Sequence, residues 1–519
     1  MYRLLVLVVA IVGAASEEIF EAVRAVARGD SVLGLLNQQK QHYDAAMVLL
    51  AISEAVRLGA LDEADARDVL DATRYEREAF AAGHDDDNMK ISFVRGDYDG
   101  LADDETRGSL TGKSVGDHLS ITAGLLTPLV WNDAALSIDR AKSVVFDLQF
   151  VDDATLGGSD DLSFLTSTPN GLSFYRQVTK YRTQRNSGGS TESDGWNHPD
   201  RFRDAHKVCW EDDVAMGTLT AAMLVEYHLE TLDDAERGRL GDVLAGLARG
   251  YDDVFGDLRH AYDATLGEAS PMRWTRSLGW GVYGLALMRR TLAALGRDDD
   301  AAAAAGVVAH HLETIVGWQG AEGLWWQNPN GDVDGLSGAP SDDGDVNFVE
   351  TSGSALILAA MGELAAVGAL PATAAGAFDD GIRGLLAYVD GDGDIPNCGK
   401  GTSIGAEASY YYSRGVDDPD GCSKAGLVLL ALAHAAARPT SAPTPRPTPR
   451  PTPRPTTSAP SAAPTTPAPS PAPTTRPTPR PTTISPSAAP TAEESDGGSA
   501  LVATAAVAAA AMMVSLVTY

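Results

Sequence analysis

The sequence of 519 residues is poor in cysteine and in basic residues, and it has no Asn-x-Ser/Thr site for N-linked glycosylation. Three cysteines cannot form the dense disulfide network of a small secreted domain, and no Cys/His spacing is typical of a metal site. The 40 basic residues face 71 acidic ones, which leaves a formal net charge of -31. A chain this acidic repels the phosphates of nucleic acid, so we expect no nucleic-acid partner.

The three cysteines are Cys209, Cys398 and Cys422. In an oxidising compartment an odd set contains one disulfide and one free thiol, or no disulfide at all. Cys398 and Cys422 both lie in segments rich in glycine and aspartate, which favours them as the pair. Cys209 precedes Trp210 at the predicted start of a helix, where we expect it to pack as a small buried hydrophobe.

Residues 1–16 have the features of a secretory signal peptide. Arg3 precedes the apolar run from Leu4 to Val12, and the small residues from Gly13 to Ser16 follow it. We therefore predict a secreted protein whose folded domain begins at residue 17.

The C-terminal part of the chain predicts a stalk and a membrane attachment. Residues 438–490 consist almost wholly of Pro, Thr, Ser, Ala and Arg, a composition typical of an extended spacer. In residues 491–519, a polar spacer precedes an apolar run that is long enough to cross a bilayer and has no basic residue after it. This layout is typical of a glycosylphosphatidylinositol anchor signal, with a membrane-spanning tail as the alternative. We expect the protein at the cell surface, in contact with the membrane only through this end.

Residues 17–437 show a helical period and little strand-like alternation. Some predicted helices, such as Val214–Leu229, are apolar on nearly all sides, whereas others, such as Leu232–Leu247, are amphipathic. Buried helices that alternate with covering helices are what an all-α (α/α)6 barrel requires. An α-solenoid also fits the period, but no internal repeat of fixed length is visible. The predicted helices are Tyr43–Leu58, Asp62–Phe80, Ile138–Phe150, Leu172–Lys180, Asp212–Thr231, Ala235–Phe255, Arg276–Leu295, Ala301–Trp318, Glu350–Leu370, Ala372–Val389 and Lys424–Ala437.

Four clusters of polar and aromatic residues are candidates for chemistry. Sites that cleave sugars need carboxyl groups to move protons and aromatic planes to stack on sugar rings. A carboxylate at the start of a helix also has a structural explanation, since it caps the helix and complements its dipole. The clusters span residues 210–213, 258–263, 274–280 and 350–355.

The order of these clusters resembles that of the unsaturated glucuronyl and rhamnogalacturonyl hydrolases, which form glycoside hydrolase family 105 and its relative, family 88. The resemblance runs from about Gly195 to Ala433. Leu278 stands where the family has an asparagine, and Ser277 where it has a glycine. The matching positions are Trp210, Asp212 and Met216 at a helix start, His260 in a loop, Trp274, Arg276, Gly279 and Trp280 in one segment, and the segments Gly323–Gln327, Glu350–Ala355 and Cys398–Gly405.

The resemblance implies an (α/α)6 hydrolase that needs no metal or organic cofactor. Its substrate would be an oligosaccharide of pectic, ulvan or glycosaminoglycan origin that ends in a 4,5-unsaturated uronic acid. Asp212 would protonate the double bond and then assist the attack of water. A second acidic residue would lie upstream, with Asp139 as the best match and Asp117 as its rival. The residues implied to bind the sugar or its carboxylate are Trp210, His260, Trp274, Arg276, Trp280 and Trp326.

Two other functions remain open on the sequence. A conventional, mannanase-like glycosidase on the same barrel would need two carboxylates that face one bond, and the adjacent Asp212 and Asp213 cannot both do so. A catalytically inactive carbohydrate-binding surface protein would keep the cleft without the chemistry, which the change to Leu278 slightly favours. The sequence predicts no oligomeric state.

Overall fold

A computed structural model of the chain describes residues 17–37, 43–73, 123–130, 138–143, 145–146, 166–167, 173–174, 208–263, 266–329, 346–402, 404–416, 422 and 424–438. By its internal contacts the chain divides into two units, Met1–Thr444 and Pro445–Tyr519, and all described residues belong to the first. The predicted signal peptide, the stalk after Arg438 and the C-terminal tail lie outside the described residues. Within the ranges above, no helix is both long enough and apolar enough to cross a membrane.

The described part of the chain is mainly helical. Short strands form two small antiparallel sheets, with the orders β1-β2 and β3-β4-β5. The helices are α1 (residues 17–28), α2 (Asp30–Asn37), α3 (Tyr43–Arg57), α4 (Glu63–Ala72), α5 (Ile138–Ser143), α6 (Asp212–His228), α7 (Asp234–Phe255), α8 (Thr275–Ala294), α9 (Asp298–Val316), α10 (Thr351–Ala366), α11 (Ala372–Leu386), α12 (Ala408–Tyr412) and α13 (Ala425–Ala436). The strands are β1 (Thr166–Ser167), β2 (Ser173–Phe174), β3 (Val208–Trp210), β4 (Ala261–Asp263) and β5 (Glu268–Ala269).

An inner layer of largely buried helices forms a closed ring. α6 packs on α8, α8 on α10, α10 on α13, and α13 on α3. The segment 123–130 completes the ring between α3 and α6. A Cβ atom on Gly124 would lie 3.0 Å from the Cα atom of Ala46 in α3, and Nε2 of His228 at the end of α6 is 2.9 Å from the carbonyl oxygen of Leu126. The fold is the predicted (α/α)6 barrel.

Amphipathic helices cover the ring from outside. α7 packs against α8 and α9, and α11 packs against α9, α10 and α13. The start of α7 is fixed by a capping box, in which the Asp233 side chain accepts from the N–H of Glu236 at 2.8 Å and the Glu236 side chain accepts from the N–H of Asp233 at 2.9 Å. The apolar face of each outer helix is buried against the inner layer, as its sequence pattern requires.

Glycines let the inner helices approach closely. A Cβ atom on Gly284 in α8 would lie 2.6 Å from the backbone of Val214 and Ala215 in α6. A Cβ atom on Gly426 in α13 would lie 2.8 Å from the backbone nitrogen of Val48 in α3. Any larger residue at these crossings would push two helices apart.

The inner helices run in the same direction, so the ring has two distinct ends. At the C-terminal end, Arg290 of α8 forms ion pairs with Glu54 of α3 and Glu363 of α10. At the N-terminal end, Lys424 before α13 forms an ion pair with Asp44 of α3 at 2.9 Å. The starts of α6, α8 and α10 lie at this second end, together with the candidate site.

Two predicted helices need correction. The helix predicted over Leu172–Lys180 is wrong at Ser173–Phe174, which form β2 and pair with β1. The sequence Pro169-Asn170-Gly171 between these strands is typical of a hairpin turn, and this signal outweighs the helical period. The helix predicted to reach Phe80 ends at Ala72, because Thr73 has an extended backbone, with φ −89° and ψ 148°.

Candidate active site

A short sheet places two candidate residues side by side at the start of α6. β3 pairs antiparallel with β4, with Trp210 opposite Ala261. One residue further on, the backbone N–H of Glu211 donates to the carbonyl oxygen of His260 at 3.0 Å. Because α6 begins directly after this ladder, at Asp212, the strand pairing fixes the start of the helix beside the histidine.

The Asp212 carboxyl group and the His260 imidazole contact each other directly. Nε2 of His260 lies 3.2 Å from Oδ2 of Asp212. The His260 side chain is fully buried, whereas the Asp212 side chain keeps 11 % of its surface exposed. Since Oδ2 is itself buried, the exposed surface belongs to other atoms of the Asp212 side chain. One oxygen of the carboxyl group is thus buried beside the histidine, while the group stays partly exposed to solvent.

Three aromatic rings surround the His260 imidazole. The ring centroids of Trp210, Trp274 and Tyr411 lie 5.5, 5.1 and 5.8 Å from that of His260. The structure therefore brings together four of the predicted site residues: Trp210, Asp212, His260 and Trp274. Both tryptophans are almost completely buried, so they enclose the histidine and present no open face to a sugar ring.

Tyr411 is a site residue that sequence analysis did not identify. Its hydroxyl oxygen lies 2.8 Å from Nδ1 of His260 and accepts from the backbone N–H of Gly405 at 3.1 Å. Tyr411 is fully buried in the short helix α12, and burial raises the pKa of its phenol. The only signal in the sequence is the run of tyrosines at 410–412.

Glu211 is a second residue whose part in the site the sequence does not show. Its side chain is fully buried. Oε1 accepts from the Tyr251 hydroxyl group at 2.6 Å, and Oε2 accepts from the Ser277 hydroxyl group at 3.2 Å. Burial, reinforced by the negative charge of Asp212, raises the pKa of Glu211 to about 8. Glu211 is therefore a neutral acid at neutral pH.

Arg276, which the resemblance assigns to substrate binding, contacts other parts of the protein. Its side chain is 2 % exposed and lies over the ring of Trp274, 4.3 Å from the centroid. Nη1 is 3.3 Å from Oε1 of Glu350 and donates to the carbonyl oxygen of Gly399, and Nη2 donates to that of Lys400 at 2.9 Å. Through these contacts, Arg276 holds this loop against the starts of α8 and α10.

The Glu350 carboxylate is the centre of the same network. It accepts from the backbone N–H groups of Gly353 and Gly399 and from the Ser352 hydroxyl group. Glu350 thus caps α10, which is the structural explanation that the segment 350–355 also allows. A fully buried carboxylate with these partners is a structural group.

Trp280 and Trp326 have different environments. Trp280 is 1 % exposed and packs in the barrel core, which corrects its predicted role in stacking on a sugar. Trp326 is half-buried and forms an isolated antiparallel bridge with Val349. Its carbonyl oxygen accepts from the hydroxyl group of Thr275, the residue after Trp274. Of the tryptophans predicted to stack on a sugar, Trp326 is the one whose exposure permits it.

The structure does not bring Asp139 to the site. Asp139 is exposed in the first turn of α5. Lys142, one turn later, forms an ion pair with Glu236 at 2.8 Å, and Glu236 lies at the start of α7, beyond the C-terminal end of α6. Asp139 therefore lies near the C-terminal end of the ring, opposite the end that contains Asp212. The rival, Asp117, lies outside the described residues.

A disulfide joins Cys398 to Cys422, the pair that the sequence favours. It links the loop that Arg276 holds to the segment just before α13. Cys209 lies in β3.

One group of described residues has the composition of a metal site, at the opposite end of the ring. Ligand atoms of Glu54, Glu363 and His434 lie within 4.8 Å of one another. Nη2 of Arg290 is 2.9 Å from Oε1 of Glu54, and Nη1 is 2.6 Å from Oε1 of Glu363. Because a guanidinium group already bridges the two carboxylates, the group fits a cation poorly.

The fold is shared with solved bacterial structures. A possible member of glycoside hydrolase family 105 from Salmonella enterica serovar Paratyphi A is 11% identical, with a TM-score of 0.54, and the match covers 81% of this chain and 94% of that one. A possible member of the same family from Klebsiella pneumoniae is 13% identical, with a TM-score of 0.48 and coverage of 82% and 93%. An unsaturated glucuronyl hydrolase from Bacillus sp. GL1, described as responsible for the degradation of glycosaminoglycan, is 15% identical, with a TM-score of 0.41 and coverage of 80% and 95%. At 11% identity, the Salmonella match shows a common fold alone.

The family is assigned from the amino-acid sequence rather than from the fold. No curated protein matches the chain. The family model described as Glycosyl Hydrolase Family 88 matches residues 173–438. This range is more than half of the chain and includes Asp212, His260 and Tyr411. The chain belongs to glycosyl hydrolase family 88 and is a glycoside hydrolase.

Proposed function

We propose that the protein removes a 4,5-unsaturated uronic acid from the non-reducing end of oligosaccharides that polysaccharide lyases release. The observation that carries this proposal is the contact between Asp212 and His260 at the N-terminal end of the ring, where the Asp212 carboxyl group is partly exposed. A single positioned carboxyl group can give a proton to a double bond and then take one from water.

The reaction is a hydration followed by two bond cleavages. Asp212 donates a proton to C4 of the enol ether, and its carboxylate then takes a proton from the water molecule whose oxygen bonds to C5. The resulting hemiketal opens between C5 and the ring oxygen, which leaves a ketone at C5 and a hemiacetal at C1. The hemiacetal collapses to an aldehyde, and the neighbouring sugar leaves with a hydroxyl group. One water molecule is consumed, and Asp212 regains its proton.

Two carboxyl groups that the described residues bring to this end of the ring, Glu211 and Glu350, favour hydration over displacement at the anomeric carbon. A conventional, mannanase-like glycosidase needs two carboxyl groups about 5–9.5 Å apart on either side of the bond. Glu211 is fully buried and hydrogen-bonded to Tyr251, and Glu350 is fully buried in its network with Arg276. Neither group can face the same bond as Asp212.

The proposal is tested by the ultraviolet absorbance of the conjugated double bond in unsaturated disaccharides of pectic, ulvan and glycosaminoglycan origin. We expect the purified protein to remove the absorbance of at least one of them. Asp212→Asn keeps the shape of the side chain but cannot donate the proton, so we expect kcat to fall by about 100-fold or more.

Asp139→Asn is the matched control, because it makes the same change at an exposed position near the other end of the ring. We expect it to retain the wild-type rate. Unchanged absorbance with every substrate, together with tight binding of the same sugars, would instead indicate a carbohydrate-binding surface protein. Cleavage of saturated glycosides that also depends on Asp212 would indicate a conventional glycosidase.

We also propose that the enzyme acts outside the cell, attached to the membrane through its C-terminal end. Support comes from the apolar start of the chain, the Pro/Thr-rich stalk and the uncharged tail. Phosphatidylinositol-specific phospholipase C should release the enzyme from intact cells if the attachment is a lipid. Release by protease in the stalk, but not by the phospholipase, would indicate a membrane-spanning tail.

A further inference from the structure

We infer that Tyr411 is a positioning residue that fixes His260 in the tautomer with its proton on Nε2, the nitrogen that lies 3.2 Å from Oδ2 of Asp212. The inference rests on the proposed role of Asp212 as the proton donor. Tyr411 does not touch the substrate in this arrangement. It acts through the imidazole, and each step follows from the hydrogen bonds of fully buried groups.

The first step concerns the proton of the Tyr411 hydroxyl group. Its oxygen already accepts from the backbone N–H of Gly405 at 3.1 Å. The hydroxyl proton needs an acceptor, because leaving a buried donor unpaired costs about 1–3 kcal/mol. Nδ1 of His260, at 2.8 Å, is the acceptor that the described residues supply. Tyr411 therefore donates to Nδ1.

The second step concerns the imidazole. A nitrogen that accepts a hydrogen bond carries no proton, so the neutral ring of His260 has its proton on Nε2. If Nδ1 also carried a proton, two donors would face each other across the 2.8 Å contact with Tyr411. The backbone N–H of Gly405 cannot turn round to relieve this conflict. The geometry thus selects the tautomer with Nε2–H.

The third step concerns Asp212. Nε2 lies 3.2 Å from Oδ2 of Asp212, so this tautomer places the imidazole proton on the nitrogen beside the carboxyl group. In the other tautomer, that nitrogen would carry a lone pair instead. Tyr411 therefore decides whether a hydrogen-bond donor or an acceptor lies beside the carboxyl group that gives the proton to the substrate.

Other ionisable groups lie around the pair, and none supplies a better partner for Nδ1. From α6 and its start, Glu211 is neutral and bonded to Tyr251. From the start of α8, Arg276 is engaged by Glu350. From the segment around α12, Arg414 lies over the ring of Tyr410. The remaining ionisable groups that act on Glu211 or Tyr411 are Arg273, Tyr410 and Asp212 itself.

The test begins with the ¹⁵N spectrum of the purified protein labelled at histidine, which separates protonated from unprotonated ring nitrogens without any substrate. The signals of His260 are identified by their absence in His260→Gln. We expect Nε2 to be protonated and Nδ1 to be unprotonated. A protonated Nδ1 in the wild-type protein would overturn the inference, whatever the enzyme does to unsaturated sugars.

Tyr411→Phe removes the hydroxyl group and keeps the ring. We expect His260 to become a mixture of tautomers and kcat to fall with little change in KM. The fall should be on the order of 10- to 100-fold, less than the roughly 10⁴-fold loss when the tautomer of a catalytic histidine is inverted outright. An unchanged tautomer, or an unchanged kcat, in Tyr411→Phe would refute the positioning role.

Tyr410→Phe is the matched control, since it removes a hydroxyl group from the neighbouring residue, whose ring packs edge-on against Tyr411. We expect it to leave the His260 spectrum and kcat unchanged. If Asp212→Asn kept full activity, the proposed function would fail while the tautomer of His260 could still be measured. The two failures are therefore distinguishable.

Discussion

At the scale of single residues, Glu211 and Asp212 are chain neighbours with carboxyl groups in different environments. The Glu211 side chain points into the barrel wall and bonds to Tyr251 and Ser277, whereas the Asp212 side chain contacts His260 and stays partly exposed. The difference arises because Glu211 joins the end of β3 at Trp210 to the start of α6 at Asp212, so successive side chains leave the chain in different directions. A sequence pattern that counts acidic residues cannot separate them, but their burial does.

The neutral state of Glu211 makes the stability of the protein depend on pH. Burial raises the pKa of Glu211 from 4.5 in the unfolded chain to about 8 in the folded protein, so the folded state binds its proton more tightly. The free energy of unfolding should therefore fall as the pH rises from about 4.5 to about 8, and the full loss is about 5 kcal/mol in order of magnitude. Below pH 4.5 both states are protonated, and Glu211 imposes no penalty.

Glu211→Gln replaces the neutral acid by a neutral amide of the same shape. We expect the variant to be as stable as the wild type near pH 5 and clearly more stable at pH 8.5, as measured by urea denaturation. Glu313→Gln removes the same charge from the exposed surface of α9 and should change little at either pH. A wild-type protein that loses no stability relative to Glu211→Gln between these pH values would show that the carboxyl group is not held neutral.

At the scale of elements, the local sequence predicts an element correctly where the hydrophobic period and the capping residues lie within that element. The apolar inner helices, the amphipathic outer helices and the cap of α10 at Glu350 all follow from periods and capping residues within one segment. The cluster at Trp210–Asp212 was also found, because the strand and the helix that position it are contiguous. His260 was found only through the family resemblance, since nothing local distinguishes a buried loop histidine from a solvated one.

Long-range pairing explains the contacts that the local sequence does not predict. Whether Arg276 meets a substrate or a carbonyl group depends on the loop at Gly399 and Lys400, more than 100 residues later in the chain. Tyr411 reaches His260 over a separation of 151 residues, and no pattern near either residue predicts that contact. The strand at Ser173–Phe174, by contrast, follows a local turn sequence, Pro169-Asn170-Gly171. The helical period of the residues after it favours the wrong prediction of a helix.

At the scale of the whole molecule, the two ends of the ring differ in the burial and the partners of their charged side chains. The site end buries the Arg276–Glu350 ion pair and keeps the partly exposed carboxyl group of Asp212, whereas the opposite end buries a network of ion pairs among the C-terminal turns of the inner helices. Burial alone would raise the pKa of Glu54, but Arg290 and Arg57 lower it to about 2. Burial would also raise the pKa of Glu363, but Arg290, His434 and Arg289 together lower it. Carboxylates at helix C-termini oppose the helix dipole, so the arginines must compensate for both costs.

Arg290 should therefore be a stability residue for the whole barrel. Arg290→Met removes the guanidinium group that bridges Glu54 and Glu363 and leaves two buried carboxylates with too little positive charge around them. We expect a loss of about 3–5 kcal/mol in the free energy of unfolding, measured by urea denaturation at pH 7. Arg297→Met is the control, because Arg297 forms its ion pairs on the surface, where such pairs contribute about 1 kcal/mol or less.

The position of Arg290 makes the prediction specific. Arg290 lies near the end of α8, and Asp212 lies at the start of α6, so the length of an inner helix, about 25 Å, separates them. Folded Arg290→Met should hydrolyse substrate at the wild-type rate at low temperature and lose activity only when it unfolds. Replacing Glu54 and Glu363 by glutamine in the same chain should recover part of the stability, because the cost comes from unpaired charge. Two outcomes would contradict the prediction: Arg290→Met no less stable than Arg297→Met, or a further loss of stability on adding the two glutamines. Either would show that the C-terminal end of the ring is stabilised by packing rather than by these ion pairs.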